Sequence, residues 1–130
     1  MVEGLLIITH ERIGRSLLEV AEKILPNPIP TQILEIKPDQ DTHQALQQAR
    51  QFVQTFSKSH RVLVLTDLYG ATPSNLAWQT ANEYHLTLLT GLNLPMLLTV
   101  FNYPDLAINE LSRKLVKAGR EGIVEKTVIK

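Results

Sequence analysis

Arg61-Val62-Leu63-Val64-Leu65-Thr66-Asp67-Leu68-Tyr69-Gly70-Ala71-Thr72-Pro73 is the stretch that decides the fold. Its first six residues, with Val62-Leu63-Val64-Leu65 an apolar run too short for a helix, read as a buried strand ending at Asp67. Gly70 and Pro73 mark a loop, and Thr72 before Pro73 has the form of an N-cap with proline at the first helical position. The helix that follows is predicted to run to about Tyr84. Strand, polar loop and helix together make the unit from which parallel sheets are wound.

The same unit recurs on both sides. Leu5-Leu6-Ile7-Ile8 reads as a strand ending at Thr9-His10-Glu11-Arg12, followed by helical spacing at Ile13, Leu17, Leu18, Ala21, Ile24 and Leu25. Pro26, Pro28 and Pro30 stop that helix, because proline lacks the amide a helix interior needs. Ile33-Leu34-Glu35-Ile36 is a second strand. Asp41 and Gln44 have capping-box spacing ahead of a helix with Ala45, Leu46, Ala49, Phe52, Val53 and Phe56 on one face. Beyond the central stretch, Leu86–Thr90 reads as a fourth strand closed by Gly91-Leu92-Asn93. Pro95 opens an apolar helix through about Phe101, Asp105 is the expected cap of another ending before Gly119, and Ile123–Ile129 reads as a last strand.

Four such units predict an α/β fold, doubly wound and flavodoxin-like, with a parallel sheet in the order 2-1-3-4. The right-handed crossover rule puts every strand's carboxyl end on one edge. Ligands of such sheets bind where the winding direction reverses, here between strands 1 and 3. His10 closes the first of these and Asp67 the third, so the two are expected to face each other. His60 and His85 precede strands and fall on the opposite edge, while His43 lies in the first turn of a helix, where solvation is the ordinary reading.

With 130 residues, one domain spanning 1–130 is expected. Folding at this size buries roughly 68 % of the unfolded surface, enough for a core without staples. The 13 Lys and Arg balance 13 Asp and Glu, which argues against nucleic acid as a partner. The absence of cysteine excludes disulfides, thiolate metal sites and thiol nucleophiles. No stretch approaches the ~20 apolar residues of a membrane span, and Met1-Val2-Glu3 does not open a signal peptide. A cytoplasmic protein is expected, with no membrane insertion, no metal and no cofactor.

The chemistry of the pair follows from its residue types. A carboxylate that accepts a hydrogen bond from one imidazole nitrogen fixes the tautomer and leaves the other nitrogen a lone pair. Gly70-Ala71-Thr72 leads into a helix N-terminus, whose free amides attract an anion, and its two small residues let a phosphoryl group approach the backbone. His10 is therefore a candidate nucleophile towards phosphorus, Asp67 its orienting group, and Gly70, Ala71 and Thr72 the candidate phosphoryl cradle.

Thr9-His10, the block Thr66-Asp67-Leu68-Tyr69-Gly70-Ala71-Thr72-Pro73-Ser74-Asn75, Gly91-Leu92-Asn93-Leu94-Pro95-Met96 and Gly119-Arg120-Glu121-Gly122 resemble the mannose-family enzyme IIA of the bacterial sugar phosphotransferase system. The resemblance covers nearly the whole chain, and its two middle blocks are the specific ones. It implies that His10 takes a phosphoryl group from the phosphocarrier HPr and hands it to a histidine of a IIB component. Asp67 would support the imidazole, and the Thr72 hydroxyl would help hold the phosphoryl group. It also implies a homodimer in which the C-terminal strand crosses to the partner as an antiparallel strand.

The chain departs from the family pattern at Glu11, where a glycine usually follows the histidine. At ~6 Å in water a carboxylate against a dianionic phosphoryl group costs roughly 1.4 kcal/mol, less in salt. Arg12 is the candidate counter-charge, and a solvent-facing Glu11 is the preferred reading. Rival classes fit less well. A receiver domain needs more acids after strand 1 than Glu11, a serine hydrolase needs a Gly-x-Ser-x-Gly elbow that is absent, and a metal site lacks an obvious third ligand. The phosphocarrier subunit of dihydroxyacetone kinase and a free-standing regulatory phosphorylation switch are the remaining alternatives. The sugar is not legible in this chain.

Overall fold

The computed structural model describes residues 1–129 and holds four strands and five α-helices in strict alternation up to the last two helices. They are β1 (Gly4–His10), α1 (Ile13–Ile24), β2 (Thr31–Ile36), α2 (Thr42–Thr55), β3 (Val62–Thr66), α3 (Thr72–Tyr84), β4 (Thr87–Leu89), α4 (Leu94–Asn102) and α5 (Ile108–Glu121). The sheet is entirely parallel in the order β2-β1-β3-β4, the flavodoxin-like order expected from the sequence.

Continuous apolar runs mark the two central strands because both of their faces are covered. Leu5, Ile7, Leu63 and Leu65 pack under α1, α4 and α5 with Leu18, Ala21, Leu97, Leu111 and Leu115. Leu6, Ile8, Val62 and Val64 pack under α2 and α3 with Ala45, Ala49, Val53, Leu76 and Ala77. All eight strand residues are fully buried. At roughly 1.5–3 kcal/mol for each large side chain so buried, these two layers dominate the stability of the sheet. They hold the carboxyl ends of β1 and β3 side by side, with Ile8 opposite Thr66 in register.

Three local expectations change. The cap of α3 is Ala71, with Thr72 already the first helical residue and Pro73 the second. Asp105 does not cap α5. It sits in a turn closed by Leu106 N–H on Tyr103 O, and Ala107 occupies the cap. Ile123–Ile129 forms no strand in its own sheet. A β-branched segment needs an edge to pair with, and within one chain these residues leave the open edge of β4 uncovered.

The Gly91–Met96 block has a structural role. Gly91 N–H donates to Asp67 O at 3.1 Å and Leu92 N–H to Thr66 O at 3.0 Å, which ties the β4–α4 loop to the end of β3. Asn93 caps α4 through Oδ1 on Met96 N–H and reaches Gly119 O through Nδ2. A side chain at Gly119 would stand 3.0 Å from Met96 Cγ, so glycine there permits the α4–α5 approach.

Candidate functional site

His10 is the last residue of β1, and Asp67 follows β3. Asp67 Oδ2 accepts from the His10 backbone N–H at 3.1 Å and stands 2.9 Å from His10 Nδ1. Oδ1 accepts from Leu68 N–H at 3.0 Å. An ionised carboxylate only accepts, so Nδ1 carries the proton and Nε2 the lone pair. The imidazole is 41 % exposed while the Asp67 side chain is only 10 % exposed. Burial acts to raise the Asp67 pKa. The hydrogen bonds from the His10 ring and backbone, with the attraction of a charged imidazole, outweigh it and hold the carboxyl below its ordinary value of 3.8.

Two buried hydroxyls that the sequence reading passed over shape the surroundings. Thr9 Oγ1 accepts from Gly14 N–H at 2.8 Å and so satisfies an amide at the start of α1 from the strand beside it. Ser74 Oγ accepts from Gly70 N–H at 3.2 Å. Such bonds depend on loop geometry and leave only a weak trace in sequence, a Ser or Thr near a helix start. A third hydroxyl, Thr66 Oγ1, is buried with no hydrogen-bond partner at the end of β3.

The three residues of the candidate cradle differ in whether their amides are free. The Gly70 amide is already committed to Ser74. Those of Ala71 and Thr72 carry no hydrogen bond among the described residues, and no side chain caps α3. Arg12 pairs with Glu19 at 3.7 Å rather than with Glu11, and Glu11 is exposed, as preferred. Glu11 has φ +42°, in the left-handed region, with its N–H held by Ile36 O. No third His, Asp or Glu joins His10 and Asp67 to form a metal-binding group among the described residues.

A doubly wound sheet that carries an Asp-oriented, half-exposed histidine at its switch point, with an uncapped helix N-terminus in the loop after Asp67, defines a class of α/β proteins that present an imidazole lone pair at the carboxyl edge of the sheet. The family model EIIA-man, described as PTS system fructose IIA component, matches residues 4–116, and the chain belongs to that family of phosphotransferase-system IIA components. Solved structures agree in fold. The mannose/sorbose specific IIA subunit of the phosphotransferase system from Enterococcus faecalis is 22 % identical, with all of this chain and 98 % of that one covered at a TM-score of 0.82. The phosphotransferase system component EIIA from Streptococcus agalactiae is 25 % identical, covering 96 % and 97 % at 0.82. The PTS IIA protein associated with the fucose utilization operon from Streptococcus pneumoniae is 23 % identical, covering 96 % of each chain at 0.81. Membership makes this chain a phosphocarrier component of sugar phosphotransfer. No helix among the described residues is long and apolar enough to cross a membrane.

Proposed function

We propose that His10 accepts a phosphoryl group on Nε2 from phospho-HPr and passes it to a histidine of a IIB component. The observation that carries this reading is the 2.9 Å contact between His10 Nδ1 and Asp67 Oδ2. The Nε2 lone pair attacks phosphorus, the donor's P–N bond breaks, and its electron pair stays on the donor imidazole. Because Nδ1 already bears the proton, the product is a phosphoimidazolium, and no proton has to leave during the step. The Asp67 carboxylate stabilises that cation. In onward transfer the acceptor histidine attacks phosphorus and the P–Nε2 electron pair returns to His10. The free amides of Ala71 and Thr72, with the Thr72 hydroxyl, are the proposed ligands of the phosphoryl oxygens.

The same reading places the protein in the cytoplasm, as a homodimer built from single 1–130 domains. The groove along β4, about 530 Å³ and lined in part by Tyr69, Trp78, Leu88, Leu89 and Ile123, supports a partner strand there. The test is incubation with phosphoenolpyruvate, enzyme I and HPr. An acid-labile, base-stable phosphate is expected, lost in His10→Ala. Label that persists in His10→Ala would sink the assignment. A base-labile, hydroxylamine-sensitive phosphate on Asp67 would support a receiver-like chemistry instead.

A further inference from the structure

We propose that Ser74 is a positioning residue for phosphoryl transfer. Its buried hydroxyl fixes the Gly70 turn and so aims the free amides of Ala71 and Thr72. The proposal rests on the phosphohistidine reading above and adds to it the device that keeps the cradle in shape.

Two anchors bound the loop after Asp67. At one end Leu68 N–H donates to Asp67 Oδ1, and at the other Asn75 N–H donates to Ala71 O and closes the first turn of α3. Leu68, Tyr69 and Gly70 between them are exposed. Among the described residues, the Gly70–Ser74 bond is the one hydrogen bond that holds the middle of this span. Gly70 has φ +86°, a conformation that glycine enters and leaves at little cost. Without that bond the turn has many neighbouring states. Ser74 is only 4 % exposed, so its hydroxyl is fixed to the helix.

The choice of partner matters as much as the bond. Ser74 is the third helical residue, the place from which a capping-box side chain reaches back to the cap's own N–H. Here that N–H belongs to Ala71, and Ser74 bypasses it for Gly70. The helix start is held in place while its anion-binding amides stay free. Donors fixed before the charge arrives are the effective ones, and displacement by about 1 Å can cost as much as ~100-fold in rate.

The experiment compares wild type, Ser74→Ala and Ser74→Cys, all as full chains, with phospho-HPr as the donor. Amide exchange at Gly70, read by NMR, is expected to accelerate about tenfold or more in Ser74→Ala, as a lost hydrogen bond implies. The transfer rate at saturating phospho-HPr is expected to fall about tenfold while KM for the donor stays within about twofold. Ser74→Cys keeps the volume with a weaker acceptor and serves if the alanine variant does not fold; the same changes are expected in smaller degree. Unchanged transfer, unchanged Gly70 exchange, or a loss confined to KM overturns the proposal. A wild-type chain that takes no label overturns instead the phosphohistidine reading, a result distinct from normal labelling with unaffected variants.

Discussion

The crevice between β1 and β3 and the outer edge of β4 are built to different degrees of completion. In the crevice one chain supplies the partners of His10 and Asp67. Asp67 uses both carboxylate oxygens, the His10 ring is oriented, and the flanking loops are tied by Thr9, Ser74 and Gly91. At the β4 edge a three-residue strand is open on one side. Around the groove there, Tyr69, Trp78 and Ile123 lie exposed, and Val124, Val128 and Ile129 beyond it are exposed as well. Polar geometry can be satisfied locally, whereas apolar area has to be covered by something. Tyr69 belongs to both regions, since it lies in the loop that follows Asp67 and also lines the β4 groove. Covering the edge would therefore border the site.

The largest expected effect breaks the comparison at the incomplete side. The full-length protein is expected to sediment as a dimer at micromolar concentration, which corresponds to about 8 kcal/mol of association. Deleting residues from Ile123 onward should give a monomer or an aggregate, because the β4 edge is then bare. A soluble full-length monomer at that concentration would show that the edge is complete as it stands.

On the complete side, Asp67→Asn should slow transfer by about 100-fold with the phosphoryl group still on His10, since the charge that supports the imidazolium is lost. The same substitution has a signature in acid. The Asp67 pKa is lowered by folding, so the stability it contributes is present above 3.8 and is lost as pH falls through the folded value. Urea midpoints measured from pH 5 down to 3 should therefore fall less steeply in Asp67→Asn than in wild type. Equal slopes would mean that the hydrogen bonds to His10 contribute nothing to folding.

Thr66 tests whether anything in the crevice is left unmade. Its buried, unpaired hydroxyl is a cost that Val would remove at nearly constant shape. Thr66→Val is expected to raise unfolding stability by about 1 kcal/mol with transfer unchanged. A fall in transfer at higher stability would assign that hydroxyl to the reaction.

What the sequence disclosed follows the same division. The central strands were legible because Leu5–Ile8 and Val62–Leu65 are short runs apolar without interruption, as strands covered on both faces are. His10 and Asp67 were legible because strand ends fix their positions whatever the loops do. The cap of α3 moved by one residue, from Thr72 to Ala71, and that of α5 from Asp105 to Ala107, because loop conformation rather than residue type decides where a helix starts. Ser74 and Thr9 were missed for that reason. The C-terminal segment had the composition of a strand, but pairing is a property of the edge it meets.

Glu11 joins these themes, since its charge was legible and its backbone was not. With φ +42° it occupies a conformation that costs a non-glycine residue about 1–2 kcal/mol and that glycine adopts freely. Glu11→Gly relieves that strain but returns about 0.5–1 kcal/mol through the greater freedom of the unfolded chain. A net stabilisation of about 0.5 kcal/mol is expected, read as a higher urea midpoint with an unchanged slope. The substitution also removes a carboxylate beside the proposed phosphohistidine, and Glu11→Gln separates the two effects. Gln keeps the strain and removes the charge, so its urea midpoint should match wild type. Its phosphoryl equilibrium with HPr should shift towards His10 by up to about tenfold at low salt and less as salt is raised. If Glu11→Gln leaves that equilibrium unmoved at low salt, the exposed carboxylate lies outside the reach of the site, and the cost of Glu11 is conformational alone.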